Sequence, residues 1–197
     1  IEKELMRKPL TTVEFANKLG QVPLEFQPGE KWAYGFSADI LGAVIEVISG
    51  KEYREFLKEE FFIPLEMIDT DFYVPEEKWE RFAKVYEYFE EEPKLRPYQG
   101  YNLAIMRQNR LPGFQSGGAG LVSTLDDYLH FDTMILNNGV YKGNRILSKE
   151  SIDFMRTNHL NEEQLKSYDW EDLKGYGYGT FVRVLKDKEL ANTPGRI

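Results

Sequence analysis

The stretch from Phe26 to Gly50 constrains the fold of this 197-residue chain more than any other part of it. Pro28-Gly29 has the composition of a tight turn, because proline presets one backbone angle and glycine accepts a left-handed one. Trp32, Tyr34 and Phe36 then alternate across three aromatic positions. Ser37 offers a hydroxyl as a helix N-cap. Leu41, Val44, Ile45 and Ile48 follow at i, i+3, i+4 and i+7, the spacing of one apolar helical face, and Gly50 stops the helix. The outcome is a turn, an aromatic crossing and a helix, with the Tyr34 phenol just outside the helix entry.

Helical signals continue on both sides. Thr11-x-x-Glu14 reads as a capping box, with Phe15, Ala16 and Leu19 on one face and Gly20 as the stop. A helix from about Glu52 to Phe61 would bury Tyr53, Phe56, Leu57 and Phe61 and end before Pro64. Pro75 can open a short helix carrying Trp79 and Phe82. Residues 88–115 hold Pro93, Pro97 and Pro112 and the acidic run Glu90-Glu91-Glu92, and are expected to be an ordered but irregular excursion. Thr124 caps a further helix from Leu125, with Asp126 and Asp127 at its positive end, through Phe131 and Ile135 to Asn138-Gly139. Ser148 caps a shorter one through Met155. Leu41, Ile45, Phe56, Phe131 and Ile135 are the expected core. From Tyr176 to Leu185 alternation predicts a single strand, with no second strand beside it. A lone strand leaves its backbone groups unpaired, so self-association through 176–185 is the expected remedy, and the chain reads as a piece of a larger fold.

Composition removes several functions. A formal charge of −8 leaves no positive face for nucleic acid or anionic lipid. Without cysteine there is no disulfide framework, thiolate metal site or cysteine nucleophile. His130 and His159 lack ligand spacing, so neither a metal nor a cofactor is expected. No apolar run is long enough for a membrane span. The compartment stays open, with the cytoplasm favoured over secretion.

The run Pro28-Gly29-Glu30-Lys31-Trp32-Ala33-Tyr34 followed by Leu41-Gly42 and Ile45-Glu46 resembles the tyrosine segment of the serine β-lactamase-related superfamily, which holds class C β-lactamases, penicillin-binding DD-peptidases and esterase relatives. Ser116-Gly117-Gly118-Ala119-Gly120-Leu121-Val122-Ser123-Thr124 and Gly175-Tyr176-Gly177-Tyr178-Gly179 are similar to two further segments of that family. The resemblance runs from about residue 23 to residue 178. It implies the helical lobe of an α+β fold, mainly α in this chain, over residues 1–172, with 173–197 as the first returning strand of an α/β lobe.

The resemblance also implies chemistry. Tyr34 would be the catalytic proton carrier beside a serine–lysine pair, since a phenol, ordinarily ionising near ~10, becomes a useful base next to an ammonium. Phe36, Ser116, Gly117 and Gly118 would line the substrate side. Where the family usually has Asn or Ser, Phe36 offers neither donor nor acceptor, which weighs against β-lactam hydrolysis and for an esterase-like role. For the glycine turn a packing role is favoured, and a phosphate cradle lacks its Gly-Lys-Ser/Thr signature. The family's nucleophile motif, Ser-x-x-Lys, is absent from these residues, as is a Lys-Thr-Gly-type strand. The implied partner of the parent is a small-molecule or peptide substrate, and this chain alone is expected to be inactive. The rival reading is a non-catalytic ligand- or peptide-binding protein on the same fold.

Overall fold

The computed structural model describes residues 10–91, 93–98 and 111–191. Glu92 of the acidic run, residues 99–110 of the expected excursion, and residues 192–197 of the expected α/β piece lie outside them.

Helix α1 (Thr12–Leu19) starts on the expected capping box. Thr11 Oγ1 accepts from the Glu14 amide, and Glu14 Oε2 accepts from the Thr11 amide at 2.9 Å. Helix α2 (Ser37–Ser49) ends on Gly50, whose φ of 69° suits a residue without a side chain. Its N-cap differs from expectation: Phe36 holds that position without a side-chain hydrogen bond, and Ser37 is already helical. Helix α3 (Tyr53–Leu57) runs on into a wider π-type turn at Lys58–Phe62, in which the Ile63 amide reaches back to the Lys58 carbonyl. A 3₁₀ turn (Glu76–Arg81) follows. Helices α4 (Leu125–Leu136) and α5 (Lys149–Met155) are capped by Thr124 and Ser148 as the sequence implies. Between them Val140–Tyr141 and Asn144–Arg145 form a minimal hairpin, β3–β4 in chain order. Short helix α6 (Glu162–Leu165) carries a second capping box, from Asn161 and Gln164.

The main core joins the α3 end to α4 and α5. Phe62, Leu65, Met67, Met134, Tyr141 and Ile152 are buried, with Phe131 and Ile135 packed against them as expected. Helix α2 departs from expectation. Its buried residues are Asp39, Gly42 and Ala43, while Leu41, Val44, Val47 and Ile48 stand in solvent, Ile48 at 81% exposure. The reason lies in small residues: a Cβ on Gly42 would sit 3.2 Å from the Tyr53 ring, so the glycine side of α2, not its apolar stripe, receives α3.

Two sheet expectations also need correction. The excursion begins with an antiparallel hairpin, β1 (Tyr86–Phe89) with β2 (Lys94–Pro97), where irregular chain was expected. The single strand 176–185 is likewise a hairpin. Strand β5 (Tyr176–Tyr178) pairs antiparallel with β6 (Arg183–Leu185), and the chain reverses over Gly179–Val182 with Phe181 at φ 59°. Gly177 and Gly179 explain the break. A Cβ on either would collide with Asn158 or with the Met155 carbonyl, so both glycines press the chain onto the end of α5. There the Thr180 amide donates to the Met155 carbonyl, and the His159 amide donates to the Tyr178 carbonyl at 2.9 Å. Strand β5 thus has a hairpin partner within its own chain, so the lone-strand premise behind the expected self-association through 176–185 does not hold.

Candidate functional site

Three segments converge around the Tyr34 loop. The first is the loop itself, pinned at its base: the Trp32 amide donates to Ser167 Oγ at 2.8 Å, and Gln164 Nε2 donates to the Gly29 carbonyl at 2.7 Å. The second is the glycine turn after Gln115. The third is the 167–178 segment, which supplies aromatic rings.

The glycine turn is tied to the first turn of α2 by a buried acid that the sequence reading did not single out. Asp39, 5% exposed on the first turn of α2, accepts a hydrogen bond from Ser116 Oγ at 2.6 Å and a longer one from the Gly118 amide. Ser116 Oγ in turn accepts from the Ala119 amide at 3.1 Å, closing the turn on itself. Side chains on Gly117 and Gly118 would meet the Ala38 carbonyl and the Asp39 carboxylate. The expected packing role of these glycines therefore has a specific content: they let the turn lie flat on the helix entry that follows Tyr34. Phe36 meets Phe15 edge-on at 5.5 Å, and Phe15 stacks at 4.1 Å on Phe114, which lies just ahead of the turn in sequence. Asp39 shares the i, i+3, i+4 face of α2 with Gly42 and Ala43, opposite the Leu41 stripe, so its charge marked that face as the solvent side and the pattern gave no sign of its burial.

Tyr34 projects outward, 74% exposed, and among the described residues nothing hydrogen-bonds its hydroxyl. Its ring lies 5.6 Å from that of Trp170. Behind the pair, Trp32 packs edge-on against Tyr168, Trp170 and Tyr178 at 4.7, 5.5 and 5.6 Å. Burial raises the Tyr178 phenol above its ordinary range, and the neighbouring Tyr34 hydroxyl adds to the effect. The arrangement supplies an exposed phenol on an aromatic base, in the loop leading into the helix turn to which the glycine turn is latched. Ser116 is no nucleophile here, because its hydroxyl is buried and committed to Asp39.

A cavity of about 450 Å³ lies elsewhere, lined by Asp69, Thr70, Lys78, Arg81, Val122 and Ser123 among others, and includes none of the expected site residues. Its charges are paired. Asp69 binds both Lys78 and Arg81, and the Arg81 and Lys78 hydrogen bonds hold its carboxyl down at about 2. Nearby, Arg54 grips Asp71 in a two-bond fork at 2.6 Å, which raises the guanidinium further above its ordinary range. We read this region as structural. Among the described residues no helix is long and apolar enough to cross a membrane.

The fold is that of the β-lactamase-like class. The chain belongs to the Beta-lactamase family, which it matches over residues 3–195. It is 34% identical over 174 residues to Protein Rv1367c of Mycobacterium tuberculosis, covering 86% of this chain and 41% of that protein. It is 30% identical over 192 residues to Esterase EstB of Burkholderia gladioli, covering 92% and 46%. Among solved structures, EstCE1, a hydrolase with promiscuous acyltransferase activity, superposes with a TM-score of 0.77 at 26% identity, covering 96% of this chain and 50% of that one. The chain thus spans about half the length of the relatives it matches.

Proposed function

We propose that this chain is the tyrosine-bearing part of an esterase-like serine hydrolase, in which Tyr34 carries the proton to and from a serine held outside residues 1–197. The observation that carries the reading is Tyr34 itself: an exposed hydroxyl with no hydrogen bond among the described residues, its ring against Trp170, in the loop that leads into the helix turn where Asp39 latches the glycine turn. The serine would attack an ester carbonyl, forming an acyl-enzyme and releasing the alcohol, which takes the proton that Tyr34 accepted from the serine. Water then resolves the acyl-enzyme by the same route in reverse. Phe36, in place of an amide- or hydroxyl-bearing residue, favours esters over β-lactams, and the similarity to Esterase EstB supports the same preference.

Two further features support a site completed by another lobe. The bare row of Leu41, Val44, Val47 and Ile48 is an apolar surface suited to burial against more polypeptide. The β5–β6 hairpin, already partnered by residues 155–159, would begin the α/β lobe from residue 173 onward. The chain by itself would be inert toward p-nitrophenyl esters and nitrocefin, since proton transfer by Tyr34 has no covalent step to serve. The reading frame upstream of residue 1 tests the proposal. It should encode a Ser-x-x-Lys helix, and a full frame without that motif would overturn the hydrolase reading in favour of a ligand-binding protein.

A further inference from the structure

We propose that Trp170 is the specificity-determining residue of the Tyr34 site, forming with Tyr34 an exposed platform for the aromatic ring of a neutral ester. The inference rests on the hydrolase reading of Tyr34 and goes beyond it to the substrate class.

Trp170 is 48% exposed and its ring meets that of Tyr34 at 5.6 Å and 49°. Two large rings left half in water beside a candidate reacting hydroxyl are costly unless something covers them in use. They are also held in place. Trp170 abuts the Trp32 indole edge-on at 81°, Trp32 abuts Tyr168 and Tyr178, and the Trp32 amide is tied to Ser167. A rigid aromatic surface loses little conformational freedom on binding, so its contact energy is retained. Ring-on-ring contact selects a flat aromatic group over a small alkyl one. Charge sets the rest. Asp169 and Glu171 flank Trp170 in sequence and are exposed, while Asp172 is paired with Arg183 at 3.5 Å, so the segment around Trp170 is net acidic, repels a carboxylate and admits a neutral ester. A substrate seated this way would enter neutral, and its acid product would be expelled by the same charges.

The test needs no catalysis. Methyl phenylacetate, ethyl acetate and phenylacetate anion are each titrated into the ¹⁵N-labelled full chain while the indole resonances of Trp32, Trp79 and Trp170 are followed, assigned by Trp→Phe variants. Methyl phenylacetate should shift the Trp170 resonance saturably, and ethyl acetate at equal concentration should not. The anion should bind more weakly than its ester. Trp170→Leu should weaken the methyl phenylacetate affinity about three- to tenfold, while Trp170→Phe keeps most of it. Equal binding by Trp170→Leu, or no saturable shift at Trp170, would overturn the proposal. Should Trp170→Leu fail to fold, the ester pair on the native chain decides alone. Ring binding without a Ser-x-x-Lys frame would leave the platform standing and remove the hydrolase reading, and the converse result would do the opposite.

Discussion

The Asp39–Ser116 bond sets how firmly the glycine turn is held against the start of α2. Both residues are buried, and the bond is charge-assisted at 2.6 Å. Ser116→Ala leaves a buried carboxylate short of a donor and should cost about 1–3 kcal/mol in urea denaturation. A loss below a few tenths would mean that water or another donor replaces the hydroxyl. A second prediction concerns Asp69. Its carboxyl is held at about 2 by Arg81 and Lys78, below its ordinary unfolded value of ~3.9. A depressed folded value stabilises the protein above the unfolded one, and that contribution is lost as pH falls toward 2. The difference in Tm between the native chain and Asp69→Asn should therefore be full above about pH 4 and close below it. Because Arg81 is more than half exposed, the difference should also shrink in high salt. A gap that stays constant through this range would remove the ion pair as its cause.

At the scale of elements, local chemistry was largely legible and tertiary choice was not. The caps at Thr11, Thr124 and Ser148 follow from side chains that must satisfy amides a few residues away. The motif singled out Tyr34, Phe36 and the 116–118 turn but not Asp39, which ties that turn to α2. The face that α2 would bury was not, because Leu41, Val44 and Ile48 match a core stripe regardless of whether a partner is present. The structure buries Gly42 and Ala43 instead, where a small side chain lets Tyr53 approach. Alternation likewise suggested one strand through 176–185, since periodicity does not report a reversal. The sign of it was Gly177 and Gly179, which need close contact with α5. Phe181→Gly separates the two outcomes. At φ 59° a bulky residue is strained, so the substitution should leave stability unchanged or raise it by up to about 1 kcal/mol. In a continuous strand the same change would lower it.

Across the whole molecule, stability and function draw on different faces. The buried set around Met134 and Ile152 holds the fold, whereas the apolar row on α2 contributes little within this chain. Ile152→Ala, at a fully buried site, should cost about 2–5 kcal/mol, and Leu41→Ala, 42% exposed, less than about 1 kcal/mol. A large loss at Leu41 would place α2 in the core after all. The central claim concerns the Tyr34 face, and its most direct measurement is p-nitrophenyl acetate turnover. The chain is assayed alone and then joined behind the Ser-x-x-Lys lobe of a β-lactamase-family esterase. Alone it should not exceed buffer. Joined, it should turn over the ester, and Tyr34→Phe should lower kcat by roughly 10²–10⁴-fold, the range for loss of a positioned acid–base group. Turnover by the isolated chain that vanishes with Tyr34→Phe, or joined turnover indifferent to that change, would contradict the role assigned to Tyr34.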